Sequence, residues 1–189
     1  MRIDMAAVEG GPVLTGAVNG TAALSRLVAA APAEPQQPEP VFLDFSGVKV
    51  ATASYLRESV LAFRDMVRGR RSTFYPVIAN ANDDVRDELA ELMRTRGDAL
   101  MVCTLDADGG VAEVRLIGDL DPKQRITFDL VHVRGETDAG ELMRAYGESE
   151  GLKHTTAWNN RLAALAARGL LMEISQGRAK RYRPLFECA

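Results

Sequence analysis

The chain has 189 residues, is 47% hydrophobic and 26% charged, and carries a net charge of −3, an ordinary globular composition long enough for one large domain or two small ones. No apolar run approaches the roughly 20 residues that cross a bilayer, and the start MRIDMAAVEGG lacks the basic-then-apolar layout of a signal peptide, so a cytoplasmic protein with no membrane partner is expected. Two cysteines, Cys103 and Cys188, and two isolated histidines, His132 and His154, argue against a disulfide framework and a metal centre; no metal and no cofactor are expected.

MRIDMAAV and PVLTGAV read as short strands separated by a hairpin-type break at Glu9-Gly10-Gly11. In TAALSRLVAAA, residues 21–31, Leu24, Leu27 and Val28 recur at helical spacing. Pro32, Pro35, Pro38 and Pro40 then impose an extended loop. VFLDF reads as a strand, and SYLRESVLAFRDMVRG as an amphipathic helix with Leu56, Val60, Phe63 and Val67 on its apolar face. TFYPVIANA, residues 73–81, is the next strand. DDVRDELAELMRTRG is a helix whose early acids and late bases complement its dipole, with Val85, Leu89, Leu92 and Met93 inward. ALMVCTL and VAEVRLIG are strands around the turn DADGG, which lacks the remaining ligands of a calcium loop. Cys103 reads as a small buried hydrophobe. Strands alternating with helices imply an α/β sheet covered by helices on at least one face.

From residue 120 the pattern changes. DPKQRITFDLVHVRG opens with Asp121 as N-cap and Pro122 at the first helical position, and Ile126, Leu130 and Val133 share a face, with Val131 on its edge. Its β-branched content leaves a strand as the competing reading. TDAGELMRAYG, residues 137–147, is a second helix, and KHTTAWNNRLAALAARG, residues 153–169, a third, with Trp158, Leu162 and Leu165 inward. LLMEIS and KRYRPL are two short strands around QGRA. Domains at 1–119 and 120–189 are therefore expected. Residues 1–119 hold 12 positive and 17 negative charges, whereas residues 152–183 hold seven positive charges against the single acid Glu173. An acidic front and a locally basic tail point to modules with different partners.

On the third helix, a rotation of about 100° per residue puts Thr156 and Asn160 opposite the core, with Asn159 and Ala163 flanking. Such a face can enter a major groove, where asparagine contacts adenine bidentately and alanines keep the helix slim. Arg178, Lys180, Arg181 and Arg183 in the hairpin suit phosphates or the minor groove. Lys153, Thr155 and Arg161 complete the candidate DNA-contact set. The bland alternatives are a solvated Asn159-Asn160 face and a solubilising hairpin.

GETDAGELMRAYG…TTAWNNRLAALAARGLLMEISQGRAKRYRPL resembles the winged helix-turn-helix domains of bacterial transcription regulators. The NNRLAALAARGLL ending and the Gly-Arg-x-Lys-Arg-Tyr wing carry the resemblance. VFLDFSGVKVATASYLRES, residues 41–59, resembles the core of STAS domains, the fold of anti-sigma factor antagonists and of sulfate-transporter tails. Asp44-Phe45-Ser46-Gly47-Val48 matches the family's strand end, and Thr52-Ala53-Ser54-Tyr55-Leu56 occupies the helix start. The resemblance implies that Ser54 falls on the serine that antagonists present to a partner kinase. Thr52 replaces the family's acid and Tyr55 its glycine, as in divergent STAS-like domains. From the residues themselves, Thr52 or Ser54 also serves as a helix cap. A serine nucleophile has no base in the front half beyond Lys49 and no Gly-x-Ser-x-Gly elbow, so no enzyme is expected.

The expected fold is an α/β STAS-like domain, a mixed sheet with helices, followed by a winged helix of three helices plus a β-hairpin wing. The expected function is a DNA-binding transcriptional regulator. Its partners would be double-stranded DNA, a second copy in a homodimer, and a protein engaging the STAS-like domain. The alternative is a protein-interaction or phospho-switch module of an anti-sigma or partner-kinase system, with the winged helix as a docking domain.

Overall fold

The computed structural model describes residues 1–31, 34–176 and 179–186, and the chain divides into two units, Met1–Asp119 and Leu120–Ala189. In the first unit, strand β1 (Arg2–Asp4) ends early because the Asp4 carboxylate accepts the amides of Ala6 and Ala7 and caps helix α1 (Met5–Glu9). The stretch MRIDMAAV, expected as one strand, is thus half strand and half helix. Gly10, at φ 86°, closes α1 in the left-handed region instead of turning a hairpin. Strand β2 (Val13–Leu14) is shorter still, and helix α2 (Ala17–Ala30) starts at Ala17, ahead of the Thr21 start that the leucine spacing predicts.

Strands β3 (Glu39–Asp44) and β4 (Val50–Ala51) lead into α3 (Ala53–Leu56), a π-turn at Arg57–Leu61, and α4 (Ala62–Gly69). Buried Ser59 lies in the π-turn and donates its hydroxyl to the Tyr55 carbonyl at 2.7 Å, occupying an acceptor inside the helix. Then come β5 (Phe74–Ala79), α5 (Asp83–Arg96), β6 (Ala99–Leu105) and β7 (Val111–Gly118). The turn between β6 and β7 is held by Asp106 Oδ1, which accepts the amides of Asp108 and Gly110.

The sheet order is β1-β3-β5-β6-β7, with the first four strands parallel and β7 antiparallel to β6. It is therefore a mixed sheet in an α/β unit. Strands β2 and β4 form a separate parallel pair, so β1 and β2 never meet as a hairpin. Apolar residues of the strands, among them Leu43, Ile78 and Val102, pack with Leu27, Phe63 and Leu89 of the helices in one core.

The second unit has α6 (Pro122–Arg134), α7 (Ala139–Tyr146) and α8 (Thr156–Ala167), then β8 (Leu171–Gln176) and β9 (Ala179–Pro184) paired antiparallel. Asp121 accepts the amides of Lys123 and Gln124 and Pro122 occupies the first turn, so the helix prevails over the strand reading of this segment. Its inward face differs from the expected one. Thr127, Phe128 and Val131 are buried, while Ile126 is exposed and Val133 is 81% exposed. Two apolar arcs compete on this helix, and the one with Phe128 buries the larger side chain. Thr127 can join it because its hydroxyl donates to the Lys123 carbonyl at 2.8 Å. Among the described residues no helix is long and apolar enough to cross a membrane.

Candidate nucleic-acid interface

Helix α8 separates its residues by periodicity. Trp158, Leu162 and Leu165 are completely buried, whereas Thr156, Asn159, Asn160 and Ala163 are exposed on the outward side. Lys153 and Thr155, just ahead of the helix, are exposed as well. The helix therefore offers solvent a slim face of amides, hydroxyls and a methyl group.

Arg161 is on the other side. It is only 9% exposed, and its Nη1 donates to Glu150 Oε2 at 3.1 Å, an acid of the segment leading to α8. Its guanidinium also lies 4.9 Å from the Trp158 ring centre, a cation–π contact shielded from water. The Trp158 Nε1 is buried and has no hydrogen-bond partner among the described residues. Arg161 thus spends its charge inside the unit.

After Gly169, at φ 76°, the chain enters the β8–β9 hairpin, whose register runs from Leu171 opposite Pro184 to Gln176 opposite Ala179. Arg178 lies outside the described residues. Lys180 is exposed, with its Nζ 2.8 Å from Glu173 Oε1 across the hairpin. Arg183 is half-buried. Arg181 is held by three carboxylates: its Nε donates to Glu136, its Nη1 to Asp138 at 3.3 Å and to Glu141 at 3.1 Å. The hydrogen bond from Arg181, aided by one from Thr137, outweighs the effect of burial and holds the Glu141 carboxyl below the usual carboxylate range.

Thr52 and Ser54 stand together at the head of α3. Thr52 is the cap: its Oγ1 accepts the Tyr55 amide at 3.5 Å and the Gly16 amide at 3.3 Å. Ser54 is half-buried, its hydroxyl 3.2 Å from that of Thr52. Tyr55, where the resembled family has glycine, is completely buried and donates to Glu9 at 3.1 Å. Burial first, then the bond to Glu9 and its charge, push the Tyr55 phenol up.

One polar centre escaped the sequence reading. Asp44, at the end of β3 and 1% exposed, accepts Asn80 Nδ2 at 2.7 Å, the Ser46 hydroxyl at 2.9 Å and the Ser46 amide at 3.1 Å, and pairs with Arg2. Asn80 itself stands at φ 55°, a region asparagine tolerates, and its Oδ1 accepts the Leu105 amide at 2.8 Å. The local signal was the Asp-x-Ser spacing at the strand end. The second signal, an asparagine following β5, gains its meaning only from the sheet order. Neither a scan against protein-family models nor a search of curated proteins finds a match for this chain.

Proposed function

We propose that Leu120–Ala189 is a winged helix that binds double-stranded DNA, with α8 in the major groove and the β8–β9 hairpin as its wing. In this reading Met1–Asp119 is a STAS-like domain serving dimerisation, partner binding or sensing, and the whole is a transcriptional regulator. The observation that carries the reading is the outward face of α8. Thr156, Asn159 and Asn160 are exposed along one side of a helix whose other side is fixed by Trp158, Leu162 and Leu165. Asn159 and Asn160 would read base edges, while Lys153, Arg183 and Arg178 would neutralise phosphates.

The test is filter binding of the full chain to random-sequence duplex between about 50 and about 200 mM salt. The logarithm of the affinity should fall linearly with the logarithm of salt, and Lys153→Gln should reduce the slope by about 1. Absence of any salt-dependent binding overturns the proposal.

A second reading has a specific observation in its favour. Arg161, Lys180 and Arg181 are each paired with carboxylates, which reduces the positive charge available to a polyanion. If the unit docks a protein instead, DNA binding is absent at every salt concentration and a charge at Ser54, introduced as Ser54→Asp, changes partner capture.

A further inference from the structure

We infer that Arg181 is a positioning residue that locks the wing strand β9 to the head of α7, and is not one of the wing's phosphate contacts. The assignment of a wing rests on the DNA-binding reading above; the lock stands on geometry alone. Strand β9 is bridged to the segment before α7 in both directions. The Thr137 amide donates to the Tyr182 carbonyl at 2.9 Å, and the Tyr182 amide donates to the Thr137 carbonyl at 2.8 Å. Arg181 is the next residue along, and its guanidinium lands on acids that the helix start has already fixed. Glu141 accepts the Asp138 amide at 3.3 Å and Asp138 accepts the Glu141 amide at 2.8 Å, closing a capping box. Thr137 adds its hydroxyl to Glu141 at 3.0 Å.

The fork of a guanidinium can engage several carboxylate oxygens at once, which an ammonium cannot do with the same geometry. Arg181 uses it on Glu136, Asp138 and Glu141 together. A phosphate approaching this arginine meets a group already surrounded by more negative charge than it carries. The lock sets the direction in which the hairpin leaves the unit, and hence where Lys180 and Arg183 are presented.

Amide hydrogen exchange on the full chain tests the lock without DNA. In Arg181→Gln, the amides of Thr137 and Tyr182 should lose protection about tenfold or more, while those of Leu162 and Leu165 in α8 keep theirs and report an intact fold. Unchanged protection at Thr137 and Tyr182 overturns the inference. Should Arg181→Gln not fold, Arg181→Lys is read the same way: it keeps the charge and loses the fork, and wild-type protection there overturns the lock. DNA filter binding supplies the second readout. Arg181→Gln should weaken binding with the salt slope unchanged, whereas a slope reduced by about 1 marks a phosphate contact and overturns the assignment. If the wild-type chain shows no salt-dependent binding, the DNA-binding reading falls and the exchange experiment still decides the lock.

Discussion

A carboxylate as buried as Asp44 survives in ionised form only because its hydrogen bonds outweigh its desolvation. Burial works to raise its pKa, and the bonds from Asn80, Arg2 and Ser46 together bring it below the ordinary aspartate value. The sign follows. A folded-state pKa below the unfolded one contributes stability that is present above the unfolded value and lost as the pH falls through the folded value. Asp44→Asn removes the charge and keeps the size, so the advantage of the wild type over it in urea unfolding should be level near neutral pH and shrink below about pH 4. A difference that stays constant into acid would sink the idea that the ionised form is what the site selects. Asp44→Ala strands the Asn80 and Ser46 donors as well and should cost about 2–3 kcal/mol. The neighbouring Cys103 reports the same environment from the other direction: burial, then the Asp44 charge, push its thiol up to about 12.

Elements pack through positions that periodicity does not mark. Gly20 lies in α2 and is buried where that helix crosses the start of the next, and a Cβ built on it would sit 2.8 Å from the Tyr55 carbonyl oxygen and 3.1 Å from the Tyr55 Cα. Alanine favours a helix over glycine by about 1 kcal/mol. The clash is with backbone, so α2 must move away, and overpacking of this kind costs about 1–3 kcal/mol. Gly20→Ala should therefore lower the urea midpoint; a midpoint above that of the wild type would mean the crossing yields freely. Sequence reasoning placed the helix start after Gly20 and so could not see this contact. It fared better where local chemistry decides, as at Asp121-Pro122, whose cap and first turn are written in consecutive residues. It misassigned the inner face of α6 because two apolar arcs are available and only the tertiary neighbours choose between them. Arg181 shows the same limit: its acids lie about 40 residues away, so a run of basic residues at 178–183 gives no sign that one of them is spoken for.

At the scale of the molecule, two units each own a buried core. That of Met1–Asp119 gathers strands and helices around Leu43 and Phe63, and Trp158, Leu162 and Tyr182 are buried in Leu120–Ala189. The change from strand–helix alternation to three helices and a hairpin near residue 120, and the excess of positive charge from residue 152 onward, are visible in the sequence because they are properties of long segments. What the front unit binds is not: Thr52 and Tyr55 stand where the pattern that residues 41–59 resemble has an acid and a glycine. Two cores imply two unfolding events, and the chain carries its own probe for telling them apart. Trp158 is its single tryptophan, buried in the second unit, so fluorescence excited selectively at tryptophan, which leaves out Tyr55 and Tyr75 of the first unit, follows the second unit alone, while far-ultraviolet circular dichroism follows both. Asp44→Ala acts on the first core only. In urea it should move part of the dichroism transition to lower denaturant by an amount set by the lost 2–3 kcal/mol or so and leave the fluorescence midpoint where it is in the wild type. A fluorescence midpoint that moves together with the dichroism would show that the two cores unfold as one cooperative system, and the front unit could then transmit a change at its own surface directly into the stability of α8.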